Sequence, residues 1–545
     1  MNMHKLMKHI LLKFVFSYTL KRKLKKLMKK NLTYYFDILT ILICVAGISL
    51  SIFLINLGIV MLSVRLIFIG SWKEKWERIK TQKTLLIVLL SFFFLHIIGL
   101  IWTDNISFGL NEIIRKLAFL VIPIGILAIS DIRKEIIKIG FGGYVLSLLI
   151  GTIWGCVNLI SNDYPDLRNL IPSTSHIRFS INIVFAILVI TKLFLDNYKT
   201  LSPAIKTLSI SVIIWFTTYL VITQALTGIV ILSLFLILYI PFLLSQKQKN
   251  KISYIVLSFY IIALSLSCVW LVREYKLFFT PNKVYDQPLL TKTPLGNDYH
   301  NLREVKLIEN GNYIYLMCNF EELEASWKKR TGEEIGENFN ILLRYMNSVS
   351  PYKDAKRFDE LTDKDIENIK NGIANKAYTE KFSLRGRLYK MFYQMNSFKE
   401  TGQIVGSSEL QRVELWRNSY RLIKDNFLLG VGTGDFEKEF ADKLCKSNSQ
   451  LCNSGHKSHN QYLNVFVTFG LLGLIIFLFW LFYPPFKAGL SKNYIYLAFA
   501  FIVLISMLTE DTLDNIAGRM FYIFFASVML FNAKTIKEFT PSKLL

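Results

Sequence analysis

Long apolar runs, unbroken by charge, constrain this chain more than any other feature of its sequence. Residues 84–102 read TLLIVLLSFFFLHIIGLIW, and residues 470–483 read GLLGLIIFLFWLFY. A soluble protein hides its apolar residues in periodic stripes, with a polar face opposite. Runs of this kind leave no polar face. A hydrocarbon core about 30 Å thick calls for about 20 apolar residues per helix. Just over half of the 545 residues (52%) are hydrophobic, so many segments qualify. The expected fold class is an all-α integral membrane protein.

Twelve transmembrane helices are predicted, at 34–50, 52–70, 84–102, 109–129, 136–160, 177–195, 207–223, 225–244, 252–272, 460–483, 492–509 and 517–532. The stretch 34–70 reads either as a tight hairpin or as one long helix and a short one. The basic run KRKLKKLMKK (21–30) leads into apolar sequence with no small-x-small site, so a cleaved signal is not expected. By the positive-inside rule that run marks the cytoplasmic side. The loops SWKEKWERIKTQK (71–83), DIRKE (131–135), SQKQKNK (245–251) and KTIKE (534–538) agree with it, while 103–108 and 223–225 contain no Lys or Arg. The expected organisation is a basic cytoplasmic segment (1–33), a nine-helix membrane domain (34–272), a large outer loop domain (273–459), three more membrane helices (460–532) and a cytoplasmic tail (533–545).

The net charge of +24 divides unevenly between these parts. The loop holds 29 basic and 26 acidic residues, leaving 35 of the 64 basic and 14 of the 40 acidic residues elsewhere. The basicity is therefore a topology signal, and no nucleic-acid partner follows from it. Nine spans before the loop and three after it do not make the matched halves of a transporter, nor do the spans carry a file of buried carboxylates. Cys44, Cys156 and Cys268 read as packing residues in apolar spans. Cys318, Cys445 and Cys452 lie in the loop, where CKSNSQLC (445–452) can close a small disulfide ring that spacing alone does not establish.

Within the loop, SSELQRVELWRNSYRLIKDNFLLG (407–430) predicts an amphipathic helix, capped by Ser407 or Ser408 and stopped at Gly430. Leu410, Val413, Trp416, Tyr420, Ile423 and Phe427 recur at helical spacing. Its basic face is either simply solvated or lies over an anionic head group. GVGTGD (430–435) has no preceding strand and no following Lys-Ser/Thr, so it reads as a tight turn able to offer amides to an anion. Cys445, Cys452, His456 and His459 do not have zinc-site spacing, and no metal site is expected.

The segment GHKSHNQYLNVFVTFGLLGLIIF (455–477) carries the sharpest signal, where the loop turns into a membrane helix. An imidazole there is placed for proton transfer to an interfacial substrate, and a helix N-terminus favours its neutral, base-competent form. The plainer alternative is that Ser458, His459 and Asn460 cap the helix while Gly470 and Gly473 permit close packing.

His459-Asn460, nine residues, then Gly470-Leu-Leu-Gly473 resembles the signature of the O-antigen ligase and polymerase family. RVELWRNSYRLIKDNFLLGVGTGDF (412–436) is similar to that family's Arg-x-x-x-Trp helix and following glycine turn. The resemblance runs from about 407 through the tenth span and implies a GT-C-like glycosyltransferase of the inner membrane, with the loop periplasmic and mainly helical. The implied donor is an undecaprenyl-diphosphate-linked glycan, the implied acceptor a lipid A–core sugar hydroxyl, and no cofactor or metal is required. By analogy His459 is the general base, Arg412 neutralises the leaving diphosphate, and Arg178 is the second catalytic cation. Arg115, Lys116, Asn460, Arg385 and Arg387 are candidate donor-binding residues. The family's Ser-Arg-x-Gly turn falls on TQALTGIV (223–230), with Leu226 in the arginine's place. Arg178, Arg344, Arg385 or Arg387 then has to compensate. An O-antigen polymerase and a protein O-oligosaccharyltransferase share these features. From other classes, a lipid-glycan transporter predicts charges spread through the spans, and a ligand-binding sensor leaves His459 and Arg412 without a role.

Overall fold

The computed structural model describes residues 32–129, 134–161, 175–245, 251–380, 383–452 and 454–539. The basic run 21–30 and most of the loops at 131–135 and 245–251 lie outside the described residues. The membrane portion begins with α1 (Leu32–Leu50), α2 (Ile52–Ile67), α3 (Trp72–Thr81), α4 (Lys83–Ile98), α5 (Ile106–Lys116) and α6 (Ala118–Ala128). It continues with α7 (Lys134–Ser161), α8 (His176–Asn197), α9 (Pro203–Ile222), α10 (Leu226–Ser245) and α11 (Lys251–Phe279).

Between 34 and 70 the chain forms the tight hairpin. Ser51 breaks the helix and caps α2 by accepting from Phe53 N. Two glycines let α1 and α2 touch: a Cβ on Gly47 would fall 2.6 Å from Ile55 N, and one on Gly58 would fall 2.8 Å from Cys44 Sγ. Asp37 of α1 is buried against Arg65 of α2 at 2.5 Å, so neither charge is left alone among apolar side chains.

Among the described residues, five helices are each long and apolar enough to cross a membrane, or up to seven spans if two bent pairs each count as one. The helices Lys83–Ile98, Leu226–Tyr239 and Tyr494–Thr509 are apolar but shorter. Several of the predicted spans are short or broken helices. The predicted span 109–129 divides at Leu117 into α5 and α6. Its first half buries Glu112 and Lys116 and exposes Ile106, Leu110 and Ile114, while its second half is apolar all round. A helix with that polar edge lies against other protein, not wholly in lipid.

The loop domain is mainly helical: α12 (Phe320–Thr331), α13 (Phe339–Val349), α14 (Ala355–Asp359), α15 (Asp363–Lys370), α16 (Arg385–Thr401), α17 (Ser408–Asp425) and α18 (Phe436–Lys446). Before them, β1 (Ile308–Glu309) and β2 (Asn312–Tyr313) form an antiparallel hairpin whose two turn residues, Asn310 and Gly311, both have positive φ. A core of Leu323, Trp327, Leu342, Met346 and Phe358 holds the first half together. Cys445 and Cys452 are joined by a disulfide at the end of α18.

The chain then enters α19 (Gln461–Ala488), α20 (Tyr494–Thr509), α21 (Ile516–Phe531) and α22 (Ala533–Phe539). The turn 430–435 clasps the loop domain onto the membrane helices. Val431 N and Gly432 N donate to Val467 O and Thr468 O of α19, and Thr433 N donates to Gly99 O. Gly434 N donates to Thr103 Oγ1, and the Asp435 carboxylate accepts from the amides of Asp104 and Asn105. These amides are committed to packing, so this turn does not offer them to an anion.

Candidate functional site

Asn460 caps α19: its Oδ1 accepts from Leu463 N at 3.1 Å, and its Nδ2 donates to Leu508 O at 3.0 Å. The capping alternative therefore holds for Asn460, which ties the start of α19 to the end of α20. His459 does something else. Its backbone sits in the left-handed region (φ +50°), a conformation that costs a non-glycine residue about 1 kcal/mol or more. Its Nδ1 faces Asp511 Oδ2 at 3.6 Å. The imidazole is about one-third exposed (36%), and the His456 ring lies 5.7 Å away, centre to centre.

Arg412, on the second turn of α17, reaches the same place. Its Nε donates to Thr509 O at 3.1 Å and its Nη2 to Glu510 Oε1 at 2.8 Å. From the first turn of α8, Arg178 Nη2 faces the other Glu510 oxygen at 3.6 Å. Arg178 Nη1 donates to Ser175 Oγ, while its buried Nε has no hydrogen-bond partner among the described residues. His459, Arg412 and Arg178, which lie far apart in sequence, thus converge on the short link between α20 and α21.

That link, TEDTLDN (509–515), escaped the sequence reading. Glu510 joins the two arginines and Asp511 faces His459. Asp511 is also held by Asn464 Nδ2 at 2.5 Å, and Asn464 in turn accepts from Ser458 Oγ. Gln461 Oε1 accepts from Leu513 N at 2.8 Å. Asp514 points the other way, to Lys116 Nζ, with Lys457 Nζ at 3.8 Å. The available signal was three carboxylates on a short link that the expected topology puts on the same side as Arg115, Lys116 and Arg178.

Electrostatics separate the roles. Burial lowers the affinity of His459 for a proton; Glu510 opposes this, and Arg412, His456 and Arg178 add to it. The imidazole is therefore held below its ordinary value and kept neutral. Burial pushes the Asp511 carboxyl up, and neighbouring Asp514 and Glu510 push it further, against Lys457 and Arg178. Burial acts on Asp514 as well but is outweighed by Lys116 and Lys457, which hold that carboxyl below the usual range.

The other candidates fall elsewhere. Lys116 is 2% exposed and bound to Asp514 and Leu513 O, so it supports the link from behind. Arg115 turns outward and pairs with Glu112 at 2.7 Å. Arg385 grips Glu274 of α11 through two hydrogen bonds (2.9 and 3.2 Å), fastening the loop domain to that helix. Arg344 is engaged with buried Glu309 through two hydrogen bonds of 3.0 Å and lies over the Tyr393 ring. Arg387 lines a small hollow with Lys390, Gln394 and Glu409. Arg385 and Arg344 are thus engaged away from the His459 cluster. Leu226 opens α10, which packs closely on the start of α8: a Cβ on Gly228 would fall 2.9 Å from Ser180 Cβ.

No curated protein matches the chain. Residues 366–478, from α15 through the kinked part of α19, match the family described as O-antigen ligase. The match takes in Arg412, His459, Asn460 and the glycines 470 and 473, so this part of the chain is similar to the O-antigen ligase family over the residues that form the cluster.

Proposed function

We propose that the protein is a membrane glycosyltransferase that moves a glycan from undecaprenyl diphosphate to a sugar hydroxyl of lipid A–core, on the periplasmic face of the inner membrane. The observation that carries this reading is the convergence of His459, Arg412 and Arg178 on Glu510 and Asp511, inside and beside the matched domain.

In this reading the acceptor hydroxyl lies against His459 Nε2, since Nδ1 is turned to Asp511. As the acceptor oxygen bonds to the donor's anomeric carbon, its proton passes to Nε2. The bond from that carbon to the diphosphate oxygen breaks, and the electron pair leaves with the diphosphate. Arg412 and Arg178 neutralise the charge that develops there, and Asp511 steadies the imidazolium. Glu510 holds both guanidinium groups before substrate arrives, which lowers the reorganisation needed at the moment of transfer. Asn460 and Asn464 keep the His459 backbone and Asp511 in register.

The test is transfer by purified protein in lipid, from undecaprenyl-diphosphate oligosaccharide to lipid A–core, beside His459→Ala and Arg412→Ala. Capped lipid A–core from the native protein alone supports the reading. Longer undecaprenyl-linked chains instead make it a polymerase, and a glycosylated protein acceptor makes it a protein O-oligosaccharyltransferase. Donor left intact with every acceptor overturns the assignment.

A further inference from the structure

The stripe predicted along α17 is rotated in the structure. Leu415, Asn418, Ser419, Leu422 and Ile423 are buried, while Val413, Tyr420 and Phe427 of the expected apolar stripe are exposed. The outward face carries Arg417, Arg421 and Lys424 at helical spacing, and below them the exposed triplet Phe427, Leu428 and Leu429.

The position of the triplet is fixed by the membrane helix it packs on. Leu471 N donates to Phe427 O at 2.8 Å and Leu472 N to Leu428 O at 3.4 Å. These amides lie ten or more residues into α19, about 15 Å beyond Asn460 at about 1.5 Å per residue. Around them α19 exposes Leu472 and Ile475, as a lipid-facing helix does. The end of the loop domain thus dips back among apolar surfaces.

Among the described residues, the charges above the triplet are not cancelled by another element. The partners of the three cations lie on α17 itself: Arg417 with Glu414, Arg421 with Asn418, and Lys424 over the Tyr420 ring. Asp425, the one acidic neighbour at that end, is taken by Lys443 of α18.

We propose that this face of α17 and the turn after it form a docking surface for anionic phospholipid of the surrounding leaflet. Phosphates sit on Arg417, Arg421 and Lys424, and acyl chains cover Phe427, Leu428 and Leu429. Cations at head-group height over an apolar wedge match that ligand from end to end, whereas a protein partner has no need of the order. A consequence, which rests on the proposed function, is that the surface sets the height of Arg412 on the same helix over the leaflet holding the substrate phosphates.

The experiment uses the full chain with Cys268→Ser, reconstituted in phosphatidylglycerol or phosphatidylcholine bilayers. Nitroxides are attached at Leu428→Cys and, separately, at Arg417→Cys. The label at 428 is expected to meet oxygen more than a water-soluble nickel reagent, and the label at 417 to meet both. Native protein stripped in detergent is expected to retain phosphatidylglycerol at least threefold over phosphatidylcholine, and Arg417→Gln/Arg421→Gln/Lys424→Gln to lose that preference. A water-exposed label at 428, label–label coupling between two chains, or an unchanged lipid preference in the triple variant overturns the proposal. None of these readouts requires glycan transfer, so their failure is distinct from failure of the catalytic assignment.

Discussion

Arg412 and Arg178 grip opposite oxygens of Glu510, at 2.8 and 3.6 Å. A carboxylate shared between two guanidinium groups holds both in one place, which in the proposed function suits them to a diphosphate that has to be bound and then released. Glu510 also contributes to the local field at His459, where it opposes burial and the neighbouring cations.

That field gives a pH prediction. Protonated His459 cannot accept the acceptor proton, so transfer rises with pH through the His459 pKa, which lies below the ordinary value of about 6.5. Glu510 raises that pKa and Arg412 lowers it. Glu510→Gln is therefore expected to move the acid limb of the rate profile to lower pH, and Arg412→Gln to higher pH, whatever either does to the maximum rate. Limbs that stay together in both variants would show that His459 is not the titrating base.

His459→Ala is expected to lose transfer by about 10²- to 10⁴-fold with little loss of stability. Asn460 supplies the cap, and removing a bulky side chain from a left-handed position releases some strain. Asn460→Ala should show the reverse pattern, losing about 1 kcal/mol of stability with the cap. Rates and thermal midpoints measured on both proteins decide this; an unstable His459→Ala would return His459 to a structural role.

Lys116 and Arg115 are neighbours with opposite expected behaviour. Lys116 is buried on Asp514, so Lys116→Met leaves that carboxylate with only the more distant Lys457 and should cost about 3 kcal/mol. Adding Asp514→Asn should recover part of the loss. Arg115→Gln, at a mostly exposed side chain, should change stability by less than about 0.5 kcal/mol. Equal losses from the two single variants would contradict this placement.

Much of the helical framework was legible, because apolar runs in lipid admit few alternatives to helix. His459 and Arg412 were legible as a motif, and the structure brings both to one place. The link 509–515 was not, since carboxylates in a short hydrophilic stretch look the same whether they face water or arginine. Lys116 and Arg178 held the missing half of that pattern: cations retained on the carboxylates' side need partners. The break at Leu117 was hidden because Glu112 and Lys116 interrupt an apolar run too briefly to end it on hydropathy alone. The apolar spacing of α17 was real, but periodicity cannot say whether such a stripe is buried or exposed, and Val413, Tyr420 and Phe427 are exposed.

Gly470 shows the same limit at one residue and supplies the last prediction. In sequence it reads, with Gly473, as a small residue for helix packing. In the structure its backbone departs from the helix (φ 64°, ψ −164°), a region that is nearly glycine-only. A Cβ there would fall 2.3 Å from the Leu428 backbone. That backbone cannot easily withdraw, because Phe427 O and Leu428 O accept from the amides of Leu471 and Leu472. Gly470→Ala should therefore cost at least about 2 kcal/mol and lower the yield of folded protein. Gly142→Ala is the control, since a Cβ at that position in α7 meets nothing within 4 Å. Thermal midpoints in detergent separate the two. If both alanines are tolerated alike, the kink at Gly470 is a packing convenience, and the 427–429 wedge does not depend on it.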